Sequence, residues 1–222
     1  MHFVVLSYPR TGSTVIQRLI NTDPSAICVG EKPMAINHLF DFYKSVEDSK
    51  FDIPRLFPEI PLSDDRNPVF NIDKVDLKLL RHMLKEVFED VVLTPGDKTK
   101  IGWKENFISP YADGDIANQQ ITFIRTLFPD VRFLLNVRDP EKTSQSPIWR
   151  VREEAFEEIS ERRKWIMDSH LAGLFGSGAT LLDYDKWSRN PDVIIGQLWD
   201  FGFKVDYQKC KDILSERLTH LS

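Results

Sequence analysis

Cysteine is nearly absent from this sequence: the 222 residues contain two, Cys28 and Cys210. A disulfide framework is therefore not expected, and no CxxC or Cys/His cluster offers the spacing of a zinc site, so no metal is expected. Long apolar runs are missing as well. No stretch approaches the ~18 apolar residues of a membrane span, and the opening residues, Met1 to Arg10, hold too short an apolar run for a signal peptide. These absences point to a protein of a reducing, cytoplasmic compartment with no membrane partner. An excess of positive charge is lacking too: 29 Lys and Arg stand against 34 Asp and Glu, a formal charge of −5. That balance argues against a nucleic-acid binder held by a general basic face, but it leaves room for a local anion site.

What is present is ordinary for a folded protein, with 41% hydrophobic and 28% charged residues. A chain of this length buries about 70% of its unfolded surface, enough for a core without staples. One domain over residues 1–222 is expected, with no internal repeat and no bias to say how many copies assemble.

Along the chain, Phe3-Val4-Val5-Leu6 reads as a buried strand that enters a turn at Tyr8-Pro9 and Gly12. From Ser13 the period changes, with Val15, Ile16, Leu19 and Ile20 at helical spacing until Asp23-Pro24. Ala26 to Val29 forms a second short strand, ending at Gly30-Glu31. Strand, tight turn, helix, strand is the opening of an α/β protein, and three later apolar runs, 100–103, 131–137 and 179–184, continue it. Helices are expected at 115–128, 150–173, 191–201 and 206–219. Asp76 to Val92 is strongly amphipathic, with Leu77, Leu80, Leu84, Val87 and Phe88 on one side. Pro54, Pro58, Pro61 and Pro68 break any period over 50–72, which reads as an excursion or lid. The charged stretch Arg150 to Lys164 reads mainly as a solvated helix face with i,i+4 pairs.

The turn after the first strand carries the chemistry. At a helix start the first four backbone N–H groups lack intrahelical partners and the macrodipole adds partial positive charge. In Tyr8-Pro9-Arg10-Thr11-Gly12-Ser13-Thr14, glycine permits close backbone approach, Thr11, Ser13 and Thr14 add hydroxyls, and Arg10 adds a full charge. That is a cradle for phosphate or sulfate. An ordinary strand–helix turn with a Ser/Thr cap would need neither Arg10 nor so many hydroxyls. An NTPase loop would read GxxxxGK(S/T). Here Ser13 replaces the lysine and Ser7 the first glycine, so ATP–Mg²⁺ is not spelled out.

These residues resemble the 5′-phosphosulfate loop of sulfotransferases that use 3′-phosphoadenosine 5′-phosphosulfate (PAPS). A second segment, Leu127 to Asp139, is similar to the family's strand leading to the donor's 3′-phosphate, where an Arg ends the strand and a Ser follows eight residues on: Arg138 and Ser146. The tyrosylprotein branch uses a further Arg twelve residues after the first, which is Arg150. A guanidinium with a hydroxyl is apt for a phosphate monoester, through charge-assisted hydrogen bonds. An Arg138–Asp139 ion pair would explain the arginine alone. Ile101 to Asn106 resembles the segment bearing a catalytic lysine, placing it on Lys104; Val29-Gly30-Glu31 resembles the Gly-Glu segment that supplies the general base, placing it on Glu31; Leu182 to Trp187 resembles the segment whose tyrosine lies on the nucleotide, here Tyr184.

The resemblance spans about 2–31 and 100–201, not 38–98. It departs from the tyrosylprotein pattern at Lys32, where a second Glu is expected, and neither the late glycine-rich loop nor an additional transition-state serine can be placed. It implies a P-loop-like three-layer α/β/α fold with a central, mostly parallel sheet, and an acceptor-side excursion at about 33–98. It implies in-line transfer of a sulfuryl group from PAPS to an acceptor hydroxyl, with a carbohydrate or small metabolite favoured. On that resemblance Arg10 and the amides of Gly12 to Thr14 are expected to face the 5′-phosphate and sulfonate, Lys104 the leaving oxygen, and Glu31 the acceptor proton, with His38 as the next candidate base. Trp103 and Trp149 flank these residues, and Phe40, Phe42, Tyr43, Phe51 and Phe57 with Asp64, Asp65 and Arg66 suit a sugar, phenol or peptide side chain. Two alternatives stand beside this reading: a P-loop-like nucleotide or small-molecule kinase, and a non-catalytic module that binds a 3′-phosphonucleotide.

Overall fold

The computed structural model describes residues 1–31, 34–106, 108 and 114–216. Its centre is a five-stranded sheet of β1 (His2–Leu6), β2 (Ala26–Val29), β3 (Lys100–Glu105), β4 (Arg132–Val137) and β5 (Thr180–Asp183). The strand order is β2-β3-β1-β4-β5, and every pairing is parallel. Parallel strands covered on both faces read as continuous apolar runs, and Phe3, Val4, Val5 and Leu6 have no exposed surface at all.

Side chains of β1 alternate between two cores. Phe3 and Val5 pack with Ile16 and Leu19 of α1 (Ser13–Ile20) and with Ile194 and Leu198 of α8 (Pro191–Phe201). Val4 and Leu6 pack with Ile121 and Ile124 of α4 (Gly114–Leu127), Ile159 and Ile166 of α6 (Ala155–Leu171), and Leu84 of α3 (Leu77–Glu86). Burying each Phe, Leu or Ile of these sets contributes about 1.5–3 kcal/mol. The helices on both sides make the three-layer α/β/α arrangement expected from the sequence. α2 (Ala35–Phe51) packs against α3 and α4, while α9 (Tyr207–Ser215) packs against α1 and α8.

The topology places the site. From β1 the chain passes through α1 on one face to β2; from β3 and β4 it leaves towards α4 and α6 on the other face. Neighbouring loops therefore diverge at the carboxyl end of β1, where ligands bind in open α/β sheets.

Helix ends differ from the sequence expectation for local reasons. The run 76–92 is α-helical only to Glu86 and widens into a π-helical turn, Val87–Leu93, closed by left-handed Thr94 before Pro95. Asp76 caps its start, accepting from the Lys78 and Leu79 amides at 2.9 and 3.0 Å. The helix expected from 150 begins only at Ala155, because residues 146–153 are spent on turns that follow the short α5 (Pro140–Ser144). Pro147 lacks a donor and restricts Ser146 before it. Between Asp52 and Asp76 the chain forms two 3₁₀ turns, Ile53–Leu56 and Ile72–Lys74. The last helix ends at Ser215; the remainder of the expected 206–219 helix lies largely outside the described residues.

Candidate functional site

Gly12 starts α1 in the left-handed region at φ +85°, and Arg10, a non-glycine residue, lies there as well at φ +77°. Such backbone costs a non-glycine residue about 1–2 kcal/mol and persists only where its surroundings hold it. The holding contacts are long-range. Arg138 Nη1 donates to the Arg10 carbonyl at 2.8 Å, and Asn136 Nδ2 to the Thr11 carbonyl at 2.8 Å. The Trp149 indole N–H donates to the Pro9 carbonyl at 3.2 Å. Tyr8, fully buried, accepts from the Arg138 amide at 2.8 Å and donates to the Arg138 carbonyl at 2.5 Å. Burial pushes the Tyr8 phenol far above its ordinary range, so it stays a neutral structural hydroxyl.

Glycine is required at position 12. A Cβ there would lie 2.6 Å from the Tyr184 ring. That ring begins α7 (Tyr184–Trp187), packs edge-on against Trp187 and lies under the Arg138 guanidinium, 4.5 Å from ring centroid to carbon. The Trp187 indole N–H reaches Asn136 Oδ1 at 3.3 Å. Tyr184, Arg138 and the Tyr8–Thr14 loop thus form one cluster.

The Arg138–Asp139 ion pair is not what the structure records. Asp139 caps α5 by accepting from the Lys142 amide at 3.1 Å, while Arg138 turns to the loop. Asp185 instead bridges the two strand ends, accepting from the Asp139 amide and from Lys142 Nζ, each at 2.8 Å. Burial alone would raise its carboxyl pKa; the Lys142 ammonium and the Asp139 amide outweigh that and hold it below the ordinary range. Polar atoms beside the loop are left over: Arg138 Nε and Ser146 Oγ are shielded from solvent and have no hydrogen-bond partner among the described residues. Ser146 lies at the turn whose Trp149 is tied to Pro9, and its carbonyl accepts from the Arg150 amide at 3.0 Å. The Arg150 side chain is exposed.

A second cluster forms across β2 and β3. Trp103 and Lys104 point to opposite faces, so the buried Trp103 joins the α3–α4 core while Lys104 faces α1. Lys104 Nζ lies 3.1 Å from Thr14 Oγ1 and 2.7 Å from Glu31 Oε1. Glu31 Oε1 also accepts from Asn106 Nδ2, and Asn106 Oδ1 accepts from the Ser7 hydroxyl. The structure therefore brings Glu31, Lys104 and Thr14 together. It does not bring His38 to them in any recorded contact: that side chain is exposed on α2.

Sequence reasoning passed over Asn106, Asn136 and Asp185. The available signal for Asn136 was a single amide inside the apolar run 133–137, and Asn136 has no exposed surface. Trp149 serves the scaffold, being buried with its N–H on Pro9. Phe40 and Tyr43 are core residues packed on Phe123, and with Arg81, Asn118 and Thr122 they line a cavity of about 300 Å³. Phe42 and Phe51 are exposed, and Arg66 pairs with Asp64 at 2.6 Å. Among the described residues no group of three or more His, Cys, Asp and Glu is placed to hold a metal ion, and no helix is long and apolar enough to cross a membrane.

A parallel α/β sheet with an anion-type loop at its switch point defines a class of group-transfer and nucleotide-binding folds. Within that class the chain belongs to the sulfotransferase family, whose sequence model matches residues 3–201. None of the curated proteins matches it. Among solved structures it is similar to the sulfotransferase STF9 of Mycobacterium avium, at 16% identity and a TM-score of 0.51, over 95% of this chain and 66% of that one. It is also similar to the sulfotransferase domain of the Synechococcus PCC 7002 olefin synthase, at 13% identity and a TM-score of 0.60, over 100% of this chain and 80% of that domain. A third is the sulfotransferase domain from the curacin biosynthetic pathway, at 14% identity and a TM-score of 0.50, over 98% of this chain and 78% of that domain. The chain thus spans just under two thirds of the mycobacterial protein.

Proposed function

We propose that this chain transfers the sulfuryl group of PAPS to an acceptor hydroxyl, with a carbohydrate or small metabolite favoured as acceptor. The observation that carries the donor assignment is the pair of orphaned atoms, Arg138 Nε and Ser146 Oγ. A buried polar group without a partner costs about 1–3 kcal/mol. A guanidinium N–H and a hydroxyl without partners among the described residues suit the 3′-phosphate that distinguishes PAPS from ATP, and exposed Arg150 is within one helical turn of Ser146 to close over it.

The remaining roles follow from the two clusters. Arg10, Thr11 and the amides of Gly12, Ser13 and Thr14 hold the 5′-phosphate and sulfonate. Tyr184, already flat against Gly12 and Arg138, provides the face on which the nucleotide lies. The acceptor oxygen attacks sulfur as the bond from sulfur to the bridging oxygen breaks, and 3′,5′-ADP departs. Charge grows on that bridging oxygen, and Lys104, held at Thr14 in the first turn of α1, stabilises it. Glu31 takes the acceptor proton, a contribution of typically 10²–10⁴-fold. Before the donor binds, Lys104 and Glu31 neutralise one another at 2.7 Å. Drawing Lys104 towards the donor frees the carboxylate to act as base.

Calorimetric titration with 3′-phosphoadenosine 5′-phosphate, beside 5′-AMP and ATP–Mg²⁺, tests the donor. Binding at least ten-fold tighter than 5′-AMP, about 1.4 kcal/mol, is expected. Tighter binding of ATP–Mg²⁺ would transfer the loop to the kinase alternative.

A further inference from the structure

Asn106 stands one residue past β3 and is 4% exposed. Its side chain is held at both ends: Nδ2 donates to Glu31 Oε1, and Oδ1 accepts from the Ser7 hydroxyl. Its main-chain oxygen accepts from Arg162 Nη1 at 3.1 Å, and Arg162 is fixed by Glu158 at 2.7 Å, itself paired with Arg152 at 2.8 Å. An amide can offer a carboxylate only its NH₂ end. With Ser7 donating to the opposite end, turning the amide over would forfeit both bonds and set oxygen against oxygen.

Around the Glu31 carboxylate the recorded charged group is Lys104 from β3. Arg162 of α6 reaches the Asn106 carbonyl rather than the carboxylate, and from α1 uncharged Thr14 meets Lys104 while uncharged Gln17 lies beside neighbouring Gly30. Lys104 and Asn106 both engage the same oxygen, Oε1. Among the described residues Oε2 has no recorded partner.

We propose that Asn106 is the positioning residue of the base: it keeps Glu31 aimed when Lys104 leaves for the donor, and it presents Oε2 as the atom that receives the acceptor proton. The inference rests on the reading of Glu31 as base. In the step itself the acceptor O–H bond breaks, its proton passes to Glu31 Oε2, and the oxygen's electron pair forms the new bond to sulfur as the bond from sulfur to the bridging oxygen breaks, its electron pair leaving with 3′,5′-ADP. Asn106 exchanges no proton.

The test uses the full chain and single-turnover release of 3′,5′-ADP from PAPS with water as acceptor, alongside the affinity for 3′-phosphoadenosine 5′-phosphate. Asn106→Ala is expected to slow turnover by roughly 10–100-fold, the scale of a misplaced reacting group, with nucleotide affinity changed less than two-fold. Asn106→Asp, which sets a second carboxylate against Glu31, should be slower still. Glu31→Gln combined with Asn106→Ala should be no slower than Glu31→Gln alone, since both act on one proton transfer. Ser7→Ala, which leaves Asn106 in place but unlocks its amide, should slow turnover several-fold and show the same non-additivity. Independent, multiplying losses in the double variants, or wild-type turnover in Asn106→Ala, would overturn the positioning role while Glu31 remains the base. Wild-type turnover in Glu31→Gln would instead overturn the base reading, and this inference with it.

Discussion

At the carboxyl ends of β1 and β4, Tyr8, Thr11 and Asn136 have no exposed surface, and each is hydrogen-bonded. Tyr8 and Asn136 reach residues more than a hundred positions away in the chain, Arg138 and Thr11. Between Asp52 and Asp76 the construction is the reverse: Leu56 is 72% exposed and Phe70 46%. There the backbone is held by turns of its own, and buried Asn67 serves the same segment, donating to the Ile60 carbonyl at 2.6 Å and accepting from the Val69 amide at 3.0 Å. Outside links come from Lys50 of α2, which donates to the Asp73 and Val75 carbonyls. If the loop holds a phosphosulfate, as proposed above, it benefits from being over-determined before binding. A segment with few buried contacts opens at low free energy, as the acceptor-side excursion that the family resemblance implies for about 33–98 would require.

That contrast can be broken most severely at Asp23, the joint beneath the first half. Its carboxylate, 1% exposed, accepts from Lys100 Nζ and the Lys204 amide at 2.7 Å, and from the Ser25 amide and hydroxyl at 2.9 and 2.7 Å. Asp23→Ala should cost about 3–5 kcal/mol, the scale for removing one partner of a buried ion pair, measured by urea unfolding. Burial alone would raise the carboxyl pKa, but Lys100 and these hydrogen bonds outweigh it and hold it far below the ordinary range. Its stabilisation is therefore complete above the unfolded carboxylate value of about 4. It is lost as pH falls from there towards the folded value, and Asp23→Asn should flatten that part of the acid limb.

Next in size is Lys104→Ala, expected to lower kcat by roughly 10²–10³, as for one lost transition-state donor, with donor binding mostly kept. Near-normal turnover would remove the leaving-group role. Arg138→Ala removes the tie to the Arg10 carbonyl for every ligand of the loop, but it should weaken PAPS by about 1.5–3 kcal/mol more than adenosine 5′-phosphosulfate, which lacks the 3′-phosphate, the worth of a charged hydrogen bond. Equal losses for both would sink the 3′-phosphate assignment. Smallest of all, Leu56→Ser should change unfolding free energy by no more than about 0.5 kcal/mol, as for other exposed positions. A loss of several kcal/mol there would show the segment to be framework rather than adaptable cover.

Much of the first half is legible in the order of its residues. The strand–loop–helix of residues 3–20 can be read from a change in period and one glycine, because periodicity and turn chemistry are properties of chain neighbours. The same holds for the five strands. Helix limits are less legible. The delayed start of α6 at Ala155 and the π-turn at Val87–Leu93 depend on what the adjoining turns must satisfy, which a charge pattern does not encode.

By itself, then, the sequence determined an α/β chain with an anion loop and the residue types of a sulfotransferase. Only the tertiary structure decided that β3 inserts between β2 and β1, which carries Lys104 to Glu31 and lets Asn106 hold that carboxylate. It likewise decided that Trp149 and Asn136 serve the loop backbone rather than a ligand. The physical reason is distance along the chain. Glu31 and Asn106 are 75 residues apart, and Thr11 and Asn136 are 125 apart. Such pairs are fixed by strand order and by the need of each buried polar group for a partner, neither of which is written in any local stretch.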